Sequence, residues 1–374
     1  MYINFWYPIC TSAELEATEP VESQVMGFSF VAFRDAASTA HVLANTCVHR
    51  GGSLANGWIK DSCIVCPYHG WRYGADGKCK LIPSLEADAK LPARAKVDSY
   101  PVQEKYGIVF AFLGDLPEEE RVPLYEIQEY ADPEWRTTEL LILEPDCYYE
   151  RSLENGMDPV HNEFVHPIQG SPQPNPGNLK YLDLPWGSKF IGKFTEQTKK
   201  PTDVEGVGGI PEGLSASSEH YGPNTLITWI NFKTNKSLHQ YFFEAPIDGG
   251  RTKIYFLNLR DFMMEPENDQ FVRDANLRVT VEDISVLEAI YPIRTPGTNT
   301  KEMLTAGDEG VVRYRNYLKD WNARGWRLDT KALREKHGDV AYAIPCPGRR
   351  DSGNWVLDPA PLIPATANSM ESAA

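Results

Sequence analysis

Cys47-Val48-His49-Arg50-Gly51 and, further along, Cys66-Pro67-Tyr68-His69-Gly70-Trp71 are the stretches on which the reading of this chain turns. Each offers one thiol and one imidazole, and each runs straight into glycine. Two Cys and two His suit an iron–sulfur cluster in which imidazoles replace thiolates on one iron. Neutral imidazoles reduce the negative charge of such a cluster and raise its potential, so that it can take up an electron and pass it on. Structural zinc also accepts two Cys and two His, and Cys63-Ile64-Val65-Cys66 is itself a CxxC pair. Zinc knuckles usually pair Cys with Cys and His with His, whereas here each loop carries one of each, which favours the cluster. Cys63 then reads as a buried strand residue, as do Cys10, Cys79, Cys147 and Cys346, which have no matching partners.

A second signature follows: Asn155-Gly156-Met157-Asp158-Pro159-Val160-His161, then His166. Two imidazoles and a carboxylate suit a mononuclear iron that handles oxygen. His161 and His166 lie about 140° apart on an ideal helix, so both reach one metal only if the helix ends or distorts between them. Asp158 lies one turn from His161 if the segment is helical; its structural alternative is to cap a new turn opened by Pro159. The third ligand is expected from a helical pattern at residues 271–290. There Val279, Asp283, Val286, Leu287 and Ile290 share a face by 3.6-residue periodicity. An unpaired carboxylate on that stripe is costly, and metal ligation removes the cost. Glu282 is the rival, with a surface ion pair to Arg278 as its ordinary explanation. An electron-storing cluster and an oxygen-handling iron on one polypeptide imply an oxygenase.

The 374 residues are 42% hydrophobic and 24% charged, which is globular composition with room for two domains. A formal net charge of −15 argues against a nucleic-acid partner. No stretch approaches the roughly 20 apolar residues of a membrane span, and the opening residues lack a basic region followed by an apolar run. Seven cysteines, an odd number, fit a reducing cytoplasm better than a disulfide framework. Residues 28–33 and 108–112 read as strands, punctuated by turns at Arg50–Ser53 and Ala75–Lys78. Gly114–Glu120 reads as a linker. Residues 226–232, 238–243 and 252–257 read as further strands, with Asp248-Gly249-Gly250 as a hairpin turn between the last two. The aromatic residues Phe164, Trp229, Phe232, Tyr241 and Phe242 either line an apolar cavity or pack as sheet core. His220 and His239 are surface histidines or contacts to a polar substrate group.

Taken together, the two signatures resemble those of the Rieske non-haem iron oxygenases, and the likeness runs the length of the chain. The resemblance implies an α+β fold: an all-β Rieske domain over residues 1–115 and a helix-grip catalytic domain over 116–365; the residues at 366–374 themselves read as a disordered tail. It implies a [2Fe–2S] cluster with Cys47 and Cys66 on one iron and His49 and His69 on the other. It places Fe(II) on His161, His166 and Asp283. Asp158 then bridges a cluster histidine of one subunit and His161 of the next within a homotrimer, with Asn155 at the same junction. Electrons are expected from NAD(P)H through a separate reductase or ferredoxin, and the substrates are O2 and a small organic molecule. The opening Asn4-Phe5-Trp6-Tyr7 looks like the O-demethylase and monooxygenase branch, whereas Ala289-Ile290-Tyr291-Pro292 departs from that branch's usual Gln-rich continuation. The alternatives are arene cis-dihydroxylation, a non-catalytic Rieske electron carrier, and a zinc-stabilised ligand-binding protein.

Overall fold

The computed structural model describes all residues except 17, 87, 167–178, 194–214, 233–234 and 367–374. The expected tail therefore falls outside the described residues from position 367 on. The chain divides into two compact units, one of Met1–Leu124 with the segment from Asp320 onward, the other of Tyr125–Lys319. The first break lies close to the one expected at 115. Residues 320–365, expected with the second domain, cluster instead with the first unit.

Besides a two-stranded parallel pair, Tyr342–Ala343 with Asp358–Pro359, the first unit holds three small antiparallel sheets among the described residues. Its strands are β1 (Phe5–Thr11), β2 (Val21–Val25), β3 (Phe28–Arg34), β4 (Ala40–Ala44), β5 (Trp58–Lys60), β6 (Cys63–Val65), β7 (Arg72–Tyr73), β8 (Cys79–Leu81), β9 (Ser99–Tyr100), β10 (Val102–Lys105) and β11 (Ile108–Leu113). They pair in the orders β1-β11-β10, β2-β3-β4-β9 and β5-β6-β7-β8. Every residue of β11 is buried, which is why Ile108–Leu113 reads as a continuous apolar run rather than an alternation. The core joins Val31, Phe33, Leu43, Ile64 and Tyr73 to the two signature cysteines.

The segment after residue 340 is fastened to this unit by polar contacts that leave no local trace in sequence. The Tyr100 hydroxyl donates to the Ile344 carbonyl at 2.8 Å. Asp98, fully buried, accepts two hydrogen bonds from Arg349 at 2.6 and 2.8 Å. Lys96 donates to Ser352 and Gly353 and lies 4.2 Å from the centre of the Trp355 ring.

The second unit is built on one large antiparallel sheet. Its strands are β12 (Arg136–Thr137), β13 (Leu141–Leu143), β14 (Leu179–Leu184), β15 (Gly187–Lys193), β16 (Ser215–Tyr221), β17 (Thr225–Phe232), β18 (Lys236–Pro246) and β19 (Thr252–Arg260). The order is β12-β19-β18-β17-β16-β15-β14, with β13 also on β19. The expected hairpin turn joins β18 to β19, where the Asp248 carboxylate accepts from Gly250 and Arg251 backbone N–H at 2.9 and 3.0 Å. Helices α1 (Tyr149–Gly156), α2 (Asn162–Val165), α3 (Asp269–Leu287) and most of α4 (Glu309–Ala323), as far as Lys319, belong to this unit. Their α1–α4 contact is a ring of charge: Arg151 and Arg315 share Glu154 and Glu302, with Arg151, Glu154 and Arg315 buried.

Helix α3 realises the expected 271–290 pattern, with one correction. Its buried residues are Val272, Asn276, Thr280 and Leu287, while Val286 is exposed. Asp283 still falls on the inward side, three residues after Thr280 and four before Leu287.

Removing one partner of a buried ion pair leaves an uncompensated charge, at a cost of about 3–5 kcal/mol. Asp98→Ala should therefore lower the thermal unfolding midpoint of the first unit markedly, read by calorimetry. An unchanged midpoint would show that the Arg349 clasp contributes nothing.

Candidate metal centres

The two halves of the first signature are built alike. Cys47 carbonyl accepts from Gly51 N–H and Cys66 carbonyl from Gly70 N–H, both at 2.9 Å. Cys47 N–H donates to the Gly52 carbonyl and Cys66 N–H to the Trp71 carbonyl, at 2.9 and 2.8 Å. Gly51 and Gly70 have φ of +71° and +70°, where a side chain is strained. These turns place both thiols inside, each 1% exposed, and leave both imidazoles at the surface. The thiols lie near enough to hydrogen-bond one another, and the His49 and His69 ring centres are 4.3 Å apart. A Cβ on Gly52 would come within 3.1 Å of the Cys66 sulfur, so that side of the loop has no room to spare.

The donor set fits a two-iron cluster. Burial pushes the Cys47 thiol up to about 11, so a thiolate here needs a cation at the sulfur. Among the described residues, the group of three or more His, Cys, Asp or Glu whose ligand atoms close on one ion is a different one. Tyr73 adds a contact not foreseen in the sequence: its hydroxyl lies 3.1 Å from the Cys47 sulfur. Burial and then the bond to Cys47 hold that phenol protonated, so it can donate to a thiolate.

The second signature converges on the Asp283 carboxylate. After α1 ends, Asp158 caps the next turn, its Oδ1 accepting from Val160 N–H at 2.7 Å. The Asp158 carbonyl accepts from His161 Nδ1 at 2.5 Å, which fixes the tautomer and leaves Nε2 as the ligand atom. Helix α2 stops at Val165, and His166 leaves helical geometry at φ −113°, ψ 79°. That break brings the two imidazoles together. His161 Nε2 and His166 Nε2 lie 3.4 and 3.0 Å from Asp283 Oδ1, and Asn155 Nδ2 donates to the same oxygen at 2.9 Å. All three candidate ligand atoms lie within 4.8 Å of one another. Burial works to raise the Asp283 carboxyl, but the hydrogen bonds from His161 and His166 outweigh it and hold the group well below the usual carboxylate range. Glu282 does not make the expected pair with Arg278 a part of its account: its Oε2 accepts from His166 Nδ1 at 2.9 Å.

Comparison with known proteins agrees with this geometry. Residues 5–101 match the Rieske [2Fe-2S] domain and residues 196–324 the Vanillate O-demethylase oxygenase C-terminal domain. Methylxanthine N1-demethylase NdmA of Pseudomonas putida is 28% identical over 335 residues, covering 85% of this chain and 88% of NdmA. The chain is a homologue of the Rieske non-haem iron oxygenases. The 3-chlorobenzoate-3,4-dioxygenase oxygenase subunit of Comamonas testosteroni is 31% identical over 184 residues, and the chain spans only 41% of its length. In fold, the structure of Pseudomonas putida CBB5 NdmA with caffeine gives a TM-score of 0.70 at 22% identity, covering 86% of this chain and 91% of that one. Dicamba monooxygenase bound to 3,6-dichlorosalicylic acid gives 0.71 at 21%, covering 85% and 96%. Enzymes of this family use a Rieske [2Fe–2S] cluster, a mononuclear iron and electrons from a separate reductase.

In this oxygenase the candidate iron residues stand at a cavity of about 250 Å³. Phe190, Leu226, Ile230, Phe232, Phe242 and Ile254 are among its walls. Strand alternation divides the aromatic residues suspected from sequence. Phe232 and Phe242 line the cavity, whereas Trp229 and Tyr241 do not, and Phe164 is 78% exposed. His239 hydrogen-bonds Glu129, which also accepts from Tyr241. His220 is fully buried, accepts from Ser188 N–H at 3.0 Å, and is pushed by burial down to about 4. Neither histidine is a surface residue, and neither lines the cavity. Among the described residues no helix is long and apolar enough to cross a membrane.

Ser152, on the cavity wall, donates to the fully buried Glu244 at 2.6 Å, and burial pushes that carboxyl up to about 8. An unfolded glutamate loses its proton near about 4.3, so the folded state holds the extra proton between those values. That contribution to stability is full below about 4.3 and is lost as pH rises toward 8. Glu244→Gln should flatten the fall in urea-unfolding free energy across this window. An identical slope in the variant would show that Glu244 ionises normally.

Proposed function

We propose that this oxygenase hydroxylates or oxidatively demethylates a small, largely apolar ring substrate. In this reading Cys47, Cys66, His49 and His69 hold the cluster, and His161, His166 and Asp283 hold ferrous iron. The observation that carries it is the meeting of two Nε2 atoms and one carboxylate oxygen at an apolar cavity. When bound, the iron offers coordination positions for O2 and the cluster supplies a second electron, which comes from NAD(P)H through a reductase or ferredoxin.

The protein's own residues do the positioning. The Asp158 carbonyl sets the His161 tautomer, and Asn155 holds the Asp283 oxygen that faces both imidazoles. Apolar walls exclude bulk water and select a substrate by shape. Gln240 supplies a polar contact: its Nε2 donates to Asn276 Oδ1 at 2.8 Å, and Asn276 in turn donates to the Val272 carbonyl. That chain commits the Gln240 amide N–H side and leaves its carbonyl as the acceptor for a substrate N–H or O–H. The NdmA structure holds caffeine and a dicamba monooxygenase structure holds dicamba; a methylated ring of that general size is the substrate class proposed here.

The proposed assembly is a homotrimer in which Asp158 joins His161 to a cluster histidine of the neighbouring copy. It is supported by the place of Asp158 three residues before His161, where its carbonyl already accepts from His161 Nδ1. The functional division is proposed at 1–115 and 116–365. The seven cysteines are buried and none is in a disulfide, which supports the cytoplasm as the compartment.

Asp283→Ala should lose the mononuclear iron and all turnover while keeping the visible absorption of the cluster; iron retention by metal analysis would move the third ligand elsewhere. Asp158→Asn should keep both metals and lower coupled turnover on the order of 10–100-fold. Near-normal coupled O2 consumption by that variant would defeat the bridge. With labelled O2, one labelled oxygen in a hydroxylated product, or in the formaldehyde released by demethylation, fits the proposal, and two in the product fit arene cis-dihydroxylation.

A further inference from the structure

His166 is held at both ring nitrogens by consecutive residues of one helix. Asp283 Oδ1 lies 3.0 Å from Nε2, and Glu282 Oε2 lies 2.9 Å from Nδ1. A carboxylate has no hydrogen to donate, so the Nδ1 hydrogen belongs to the ring and points at Glu282. Nε2 faces Asp283 in the same way, and a bound metal ion would take the place of the hydrogen between them. The ring itself is 2% exposed, whereas the Glu282 side chain is 27% exposed, so Glu282 closes the site from its outer edge. His161 is treated differently, because its Nδ1 donates to a neutral backbone carbonyl. The two imidazoles are therefore unequal ligands: one is backed by a dipole, the other by a full negative charge.

We infer that Glu282 is a positioning residue of the iron site, acting through His166 and not on the metal. It fixes the His166 tautomer and ring plane, and it makes that imidazole the stronger donor. It also supplies a second carboxylate beside Asp283, so the two negative charges together balance those of a ferrous ion. A ferric ion leaves one charge uncompensated, and removing the Glu282 charge makes that state costlier still. This inference rests on the reading that His161, His166 and Asp283 hold iron.

The test uses the full-length protein, with anaerobic Fe(II) titrated against a competing chelator. Glu282→Ala should weaken Fe(II) binding on the order of 10–100-fold. Glu282→Gln keeps an acceptor for Nδ1 but not the charge, so it should recover part of that loss. In the Gln variant the Fe(III)/Fe(II) midpoint potential of the mononuclear site should lie above that of the wild type. Cluster absorption and thermal unfolding should match the wild type in both variants. Asp283→Ala is measured in parallel. If it loses iron while both Glu282 variants bind and titrate like the wild type, Glu282 is only a surface carboxylate and the inference falls alone. If Asp283→Ala keeps iron, the three-residue reading falls with it. Iron lost from Glu282→Ala but kept in Asp283→Ala would make Glu282 a direct ligand, which also overturns the inference.

Discussion

A largely buried carboxylate with two imidazoles turned toward it is the constraint around which the second unit is organised. Asp283 lies on the inward side of a helix whose neighbouring buried positions are Thr280 and Leu287. Left alone there, its charge would be expelled by protonation or by unfolding of the site. Three separate pieces of chain supply the compensation: Asn155 from the end of α1, His161 from a capped turn, and His166 from beyond α2. Each depends on its own support. Helix α1 is clamped through Arg151 and Glu154 to Arg315 on α4 and to Glu302. The capped turn depends on the Asp158 carboxylate, and the position of His166 depends on the helix ending where it does. The ring of charge, the cap and the helix break thus converge on one oxygen atom.

The first unit solves a related problem in the opposite way. Its two thiols are buried and its two imidazoles exposed, so the negative ligands sit where desolvation is severe and the neutral ones face solvent. Duplicated turns make this possible, because each cysteine is followed at the same distance by a glycine that closes the loop back onto the cysteine carbonyl. The Tyr73 hydroxyl then meets the Cys47 sulfur from inside the core. A hydrogen bond to a cluster sulfur raises the cluster's potential.

Much of this was legible in the sequence, and the reasons for the remainder are physical. The two signatures, the strands around residues 108 and 226–257 and the helix carrying Asp283 were readable because local spacing encodes them. Period-2 alternation also explains a half-success: Phe232 and Phe242 line the cavity while Trp229 and Tyr241 face away. Their strands were legible, but which face is the inner one depends on what packs there. Val286 was placed on the buried stripe of α3 and is exposed, because an ideal periodicity does not say how wide the covered face is. In sequence Glu282 is the rival to Asp283 as third ligand, with a surface ion pair to Arg278 as its ordinary explanation. Its partner is 116 residues away, and no local pattern carries that information. The same holds for the Asp98–Arg349 clasp, whose partners are 251 residues apart and which ties the end of the chain into the first unit.

The cavity shows how polar groups can line a site without making it polar. Among its described walls, Ser152 is committed to Glu244, Asn155 to Asp283, and the Thr280 hydroxyl to the Asn276 carbonyl. Ser218 and Thr228 face each other at 3.2 Å. These groups spend their hydrogen bonds on the protein, so the surface they leave for a substrate is mainly hydrocarbon. A site of that kind discriminates weakly between ligands differing by one methylene, by about 1–3 kcal/mol. A group that needs a hydrogen bond is discriminated far more sharply, because a buried partner left unpaired is costly. Gln240, whose Nε2 is committed to Asn276 while its carbonyl has no partner among the hydrogen bonds described, is a wall residue at which one polar ligand atom would gain a partner.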